Sequence, residues 1–191
     1  MTNFIDNKIL EYSEINSQKE PSLLKELNRE THLKILNPRM LSGAFQGRLI
    51  SLISKLIKPK KVLEIGTYTG YSALCIYEGL DKKGIIHTID KNEELVEIQK
   101  KYFKKTGERE KFIQHTGNAL EIIPEINETF DLIFLDADKE NYINYFNCII
   151  NKLNKKGVIL ADNVLWSGKV ADEKQQDEST KIQAKERVRK L

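Results

Sequence analysis

Apolar and polar residues alternate along this chain in blocks, and the period changes from block to block. Residues 1–38 are polar and lysine-rich, with helix-spaced apolar positions at Ile5, Ile9 and Leu10 and again at Leu23, Leu24 and Leu27, punctuated by Pro21 and Pro38. Leu49, Ile50, Leu52, Ile53, Leu56 and Ile57 recur at amphipathic spacing and predict a helix over 46–57, stopped by Pro59. Beyond it, short apolar runs separate helical stretches. Strands are expected at 62–65, 85–89, 112–115, 132–135 and 158–161, with helices at 71–79, 92–105 and 139–153. Asn92 suits an N-cap, and Glu93 and Glu94 fall in the first turn, where the helix dipole favours them. Strands spaced by helices imply right-handed βαβ units, hence an α/β fold with a parallel sheet and helices on both faces. Residues 172–191 are dominated by Lys, Glu, Gln and Asp and read as a solvated helix or tail. One domain over 1–171, with an N-terminal helical segment over about 1–58, is therefore expected ahead of that charged stretch.

Composition narrows the class only a little. A chain of 191 residues that is 40% hydrophobic and 31% charged can build a core. A net charge of +3 permits contact with nucleic acid without arguing for it. No stretch approaches a membrane span, and residues 1–17 are too polar for a signal peptide, so a cytoplasmic location is expected. Cys75 and Cys148 each sit in an apolar pattern and read as buried free thiols.

The candidate chemistry lies at strand ends. The run Val62-Leu63-Glu64-Ile65-Gly66-Thr67-Tyr68-Thr69-Gly70 takes a strand into a glycine turn that opens a helix. Gly66 would let the backbone approach a ligand, and Gly70 would let the helix pack close. The glycine spacing is not that of a dinucleotide pyrophosphate site. Glu64 suits a cationic or hydroxyl-bearing ligand, and Asp90, ending the next strand, can accept hydrogen bonds from ribose hydroxyls, so the pair points to an adenosyl cofactor. Asp136, Asp162 and Asn163 follow two later strands and offer hard oxygen ligands for Mg²⁺, or for Ca²⁺ or Mn²⁺; the bland alternative is loop carboxylates capping the next helix. Lys139, three residues after Asp136, could serve as a general base beside such a cation, or be a surface lysine at a helix start. His87 lies inside a strand pattern and reads as structural. Trp166 could wall a substrate pocket or anchor its loop.

Three ordered motifs closely resemble the cation-dependent O-methyltransferases, the caffeoyl-CoA O-methyltransferase-like family related to catechol O-methyltransferase. They are Glu64-Ile65-Gly66-Thr67-Tyr68-Thr69-Gly70-Tyr71-Ser72, Asp136-Ala137-Asp138-Lys139-Glu140-Asn141-Tyr142 and Asp162-Asn163-Val164-Leu165-Trp166-Ser167-Gly168. The resemblance implies a Rossmann-like class I S-adenosylmethionine fold. It places Ser42, Glu64, Gly66, Ser72, Asp90, Ala119 and Asp138 at cofactor positions and Asp136, Asp162 and Asn163 at metal ligands. Lys139 falls where the catechol enzymes carry their base, and Ser167 where plant members carry a substrate-binding asparagine. It further implies a homodimer and methylation of a hydroxyl on a small catechol-like molecule. A hydroxylated uridine in transfer RNA, or adenosyl-ligand binding without catalysis, are the alternatives. Family members continue into two further strands marked by a Pro and an Asp-Gly-Leu run; neither is found here, so the C-terminal sheet edge is expected to be incomplete.

Overall fold

The computed structural model describes residues 6–165. Trp166, Ser167 and the charged 172–191 stretch lie outside those residues. Three helices, α1 (Asn7–Asn16), α2 (Ser22–Lys34) and α3 (Gly43–Ile57), precede the first strand. The strands are β1 (Lys61–Ile65), β2 (Ile85–Asp90), β3 (Phe112–Thr116), β4 (Phe130–Leu135) and β5 (Leu153–Ala161). Between them run α4 (Tyr71–Tyr77), α5 (Val96–Lys104), α6 (Ala119–Glu125) and α7 (Tyr142–Ile149). The strands form one parallel sheet in the order β3-β2-β1-β4-β5. The order reverses direction at β1, so the crevice beyond β1 and β4 is where an open α/β sheet binds ligands.

Side-chain alternation explains why both faces are covered. Val62, Ile86, Leu132 and Phe134 point to one face and pack with Leu24 and Leu27 of α2, Ile50 of α3, Ala73–Ile76 of α4 and Tyr102 and Phe103 of α5. Leu63, Ile65, Ile89, Ile133 and Leu135 point to the other, against Ala119 and Ile123 of α6 and Tyr142, Tyr145 and Ile149 of α7. Strands covered on both faces read as continuous apolar runs, which is why β4 was visible as Leu-Ile-Phe-Leu. Burying each such Leu or Ile contributes about 1.5–3 kcal/mol. Cys75 is buried and Cys148 half-buried, both as free thiols.

Two expectations need correction. The helix expected over 139–153 is broken: a 3₁₀ turn (Lys139–Asn141) leads into α7, a second one (Ile150–Lys152) follows, and β5 already begins at Leu153. β5 is thus nine residues long instead of four, its exposed Lys155 and Lys156 having masked the early part. α6 was not anticipated, because Pro124 lies inside it. Asn118 caps it by accepting from the Leu120 N–H at 3.1 Å. Among the described residues β5 is the outermost strand on its side, and no helix is long and apolar enough to cross a membrane.

Candidate active site

The sheet register itself lines up the chemistry. Ile89, Ile65, Leu135 and Ala161 sit side by side on β2, β1, β4 and β5. One residue further on, the ladder continues into the loops: the Gly66 N–H donates to Ile89 O at 2.9 Å, Asp136 N–H to Ile65 O at 2.9 Å and Asp162 N–H to Leu135 O at 3.0 Å. Asp136 and Asp162 therefore stand on adjacent chains whose spacing is roughly 4.8 Å. Burial raises the Asp136 carboxyl above its usual range; Lys139 opposes this, and the neighbouring Asp162 carboxylate adds to it. The two carboxyl groups stand together with one ammonium, which bonds to Asp136, so that with both ionised one negative charge is left over.

Lys139 supplies that ammonium. Its Nζ donates to Asp136 Oδ1 at 2.9 Å and to the Tyr142 hydroxyl at 2.8 Å. The Tyr142 hydroxyl also lies 3.2 Å from Leu135 O and 3.0 Å from Asp162 O, so one phenol ties the ends of β4 and β5 to the lysine. The Asp162 carboxylate accepts from two neutral donors, the Asn163 N–H at 2.6 Å and the Gln46 amide at 2.9 Å, and also lies against the Asp136 carboxyl. Asn163 is exposed with φ 52°, a left-handed conformation that asparagine tolerates. Among the described residues no three His, Cys, Asp or Glu side chains cluster as a metal site. The donor set is instead two carboxylates and an amide, the hard-oxygen set that suits Mg²⁺ or Ca²⁺. On that chemistry and the residual charge, the residues fit a divalent cation.

The second half of the site surrounds the β1 turn. Gly66 has φ 97°, and a Cβ there would lie 2.0 Å from the Asp136 carbonyl oxygen. Its requirement comes from the close approach of the β1 and β4 ends, rather than from a ligand. Gly70 has φ 91°, and a Cβ there would meet the Phe103 ring at 2.8 Å, so its close packing is against α5. Tyr68 is left-handed at φ 49°, which costs a non-glycine residue about 1–2 kcal/mol. Both its peptide groups are held: Asp90 Oδ2 accepts its N–H at 2.6 Å and the Gln99 amide donates to its carbonyl at 2.7 Å. Asp90 Oδ1 accepts the Asn92 N–H at 2.9 Å. Each Asp90 oxygen retains a lone pair for a further donor, as a ribose diol would require.

Glu64 lies behind this surface. It is wholly buried, accepting from the Ser72 hydroxyl at 2.6 Å and the Thr88 hydroxyl at 2.5 Å, with Thr67 bonded to Thr88 in turn. Burial pushes its carboxyl up to about 8, against the pull of the two hydroxyls. Ser72, which faces the cleft, is thus the group through which Glu64 is presented. Asp138 accepts from the Tyr145 hydroxyl at 2.6 Å and from the Asn141 amide; burial raises its carboxyl, and these two donors outweigh it and hold it below the usual range.

A single cleft of about 1320 Å³ gathers these groups, large enough for two reactants. Ser42, Gly66, Ser72, Asp90, Ala119 and Asp138 line it, as do Asp136, Lys139, Asp162 and Asn163. Of the expected site residues, Glu64 lies beneath the lining, and Trp166 and Ser167 fall outside the described residues. Gln46, Tyr68 and Tyr142 were not singled out. Tyr142 stood inside a quoted motif, but its role needs the β4 and β5 ends together. Gln46 carried no signal beyond opening a helix.

A family model described as O-methyltransferase matches residues 13–191. Caffeoyl-CoA O-methyltransferase 1 of Arabidopsis thaliana is 39% identical over 158 residues, covering 80% of this chain and 61% of that protein. The Petroselinum crispum caffeoyl-CoA O-methyltransferase is 39% identical over 159 residues, with 80% and 66% covered. The chain thus spans a little under two thirds of the length of these relatives. Among solved structures, the O-methyltransferase TomG from Streptomyces achromogenes, in complex with SAM, superposes with a TM-score of 0.86 at 26% identity, over 97% of this chain and 84% of that one. The SAH-bound methyltransferase PaMTH1 of Podospora anserina gives 0.83 at 28% identity, over 96% and 81%.

Proposed function

The chain belongs to the O-methyltransferase family, and from that premise we propose that it is an S-adenosylmethionine- and divalent-metal-dependent O-methyltransferase acting on a catechol-like hydroxyl. The observation that carries the reading is the pairing of Asp136 and Asp162 across adjacent strand ends, with Lys139 bonded to Asp136 at 2.9 Å. Asp136, Asp162 and Asn163 would hold Mg²⁺, and Ser42, Gly66, Ser72, Asp90, Ala119 and Asp138 would surround the cofactor. When bound, the cation supplies Lewis acidity to a pair of vicinal oxygens and S-adenosylmethionine supplies the methyl group.

The chain's own residues do the rest. The Asp90 carboxylate, already oriented by the Tyr68 and Asn92 N–H groups, binds a diol. Gly66 keeps the turn free of a side chain, so that the β1 and β4 ends stay in contact. Two N–H directions of Lys139 go to Asp136 and Tyr142; as the neutral amine it would turn its remaining lone pair to the acceptor hydroxyl, take that proton and become the ammonium that Asp136 holds. Holding two reactants in one cleft can be worth roughly 7–11 kcal/mol in favourable systems. The test is methyl transfer to a simple catechol by wild type and by Asp136→Ala. Loss of turnover with cofactor binding retained supports the reading; a fully active variant contradicts the ligand assignment.

Arg39 and Lys91 also line the cleft, which favours a phosphate-bearing acceptor such as a hydroxylated uridine in transfer RNA as the second reading. Steeply salt-dependent RNA binding would support it, and flat binding from low to moderate salt would remove it.

A further inference from the structure

We infer that Gln46 is a positioning residue whose side-chain amide sets the Asp162 carboxylate for cation binding. The inference rests on the reading of Asp162 as a metal ligand. The backbone of Asp162 is well anchored: its N–H donates to Leu135 O and its carbonyl lies 3.0 Å from the Tyr142 hydroxyl. Neither bond fixes the direction of its side chain. That is set by the neighbouring Asp136 carboxyl and by two hydrogen bonds to the carboxylate. The Asn163 N–H at Oδ1 is local and moves with the loop. The Gln46 Nε2 at Oδ2, 2.9 Å away, comes from α3, across 116 residues of sequence.

α3 is a firm mount for that bond. A Cβ on Gly47, the next residue, would lie 2.7 Å from the Tyr71 ring and 2.9 Å from Cys75 Sγ, so the backbone of α3 rests directly on α4. Further along, Ser54 donates to Ile76 O at 2.6 Å. Arg48, Ser51 and Lys55 all bond to Glu78, at 2.6, 2.7 and 2.9 Å. Gln46 thus projects from a helix held at several points along its length.

The choice of an amide matters electrostatically. Lys139 offsets the charge of Asp136, whereas Gln46 satisfies an Asp162 oxygen without offsetting its charge. A cation then meets a carboxylate aimed by a neutral donor. Partners of this kind typically change metal affinity by about 10- to 100-fold.

The test measures Mn²⁺ binding, read as free Mn²⁺ by electron paramagnetic resonance, together with S-adenosylhomocysteine binding by calorimetry. Gln46→Met keeps length and volume but loses the donor, and Gln46→Asn keeps the amide but draws it back by a methylene. Both should bind Mn²⁺ about 10- to 100-fold more weakly than wild type, with S-adenosylhomocysteine affinity unchanged. Wild-type Mn²⁺ affinity in either folded variant overturns the role assigned to Gln46. Asp162→Ala serves as the reference: Mn²⁺ affinity undiminished there would instead overturn the ligand assignment on which the inference rests.

Discussion

Replacing Glu64 by glutamine should change how stability depends on pH. The carboxyl is wholly buried between Ser72 and Thr88, and burial pushes it up to about 8 from an ordinary 4.5. The folded protein therefore keeps a proton between those values that the unfolded chain releases. Because the native state binds more protons there, stability falls as pH rises through that window and levels off above about 8. Each pH unit costs about 1.4 kcal/mol, so the burden grows by as much as ~4 kcal/mol between pH 5 and 8. Glutamine has the same shape and cannot ionise, so Glu64→Gln removes this burden while the other titrating groups remain common to both proteins. Urea unfolding followed by circular dichroism at intervals from pH 5 to 8 gives the difference between the two directly. The variant should gain on wild type steadily with pH. A constant difference across the window would show that Glu64 is ionised in the fold and would refute the reasoning.

Three further outcomes follow from the geometry. Gly66→Ala places a Cβ 2.0 Å from the Asp136 carbonyl oxygen at a left-handed φ; it should cost at least about 3 kcal/mol, and a melting temperature equal to wild type would contradict the contact. Burial holds His87 and His115 below 6.5, so the unfolded chain takes up protons that the folded one refuses, and stability should drop as pH falls below about 6.5. His87→Phe should flatten that slope, and an unchanged slope would place the acid sensitivity elsewhere. Asp90→Ala removes the acceptor of the Tyr68 N–H and should weaken S-adenosylhomocysteine binding about tenfold or more in calorimetry; wild-type affinity would remove Asp90 from the cofactor site.

The sequence carried the sheet well because β1, β2 and β4 are covered on both faces: Leu132–Leu135 of β4 is an unbroken apolar run ending in Asp136, and the mostly apolar β1 and β2, interrupted by Glu64 and by His87 and Thr88, end in Gly66 and Asp90. It carried β5 poorly, since the exposed Lys155 and Lys156 on an outer strand interrupt the pattern. The Pro in α6 hid a helix in the same way. At the site, residues at strand ends were legible because chain position alone puts them on the rim. Gln46 and Tyr142 were not, since each matters through a partner that the fold brings from another element: Asp162 for Gln46, and the ends of β4 and β5 for Tyr142. Glu64 was visible as a carboxyl at a strand end, yet its complete burial behind Ser72 depends on the facing Thr88 of β2.

The central claim is that Asp136 and Asp162 hold a cation that methyl transfer requires. Transfer of a labelled methyl group from S-adenosylmethionine to a catechol, measured in EDTA and again after Mg²⁺ is restored in excess, tests it most directly. Turnover should fall to background in chelator and return with Mg²⁺. Undiminished turnover in EDTA would contradict the account.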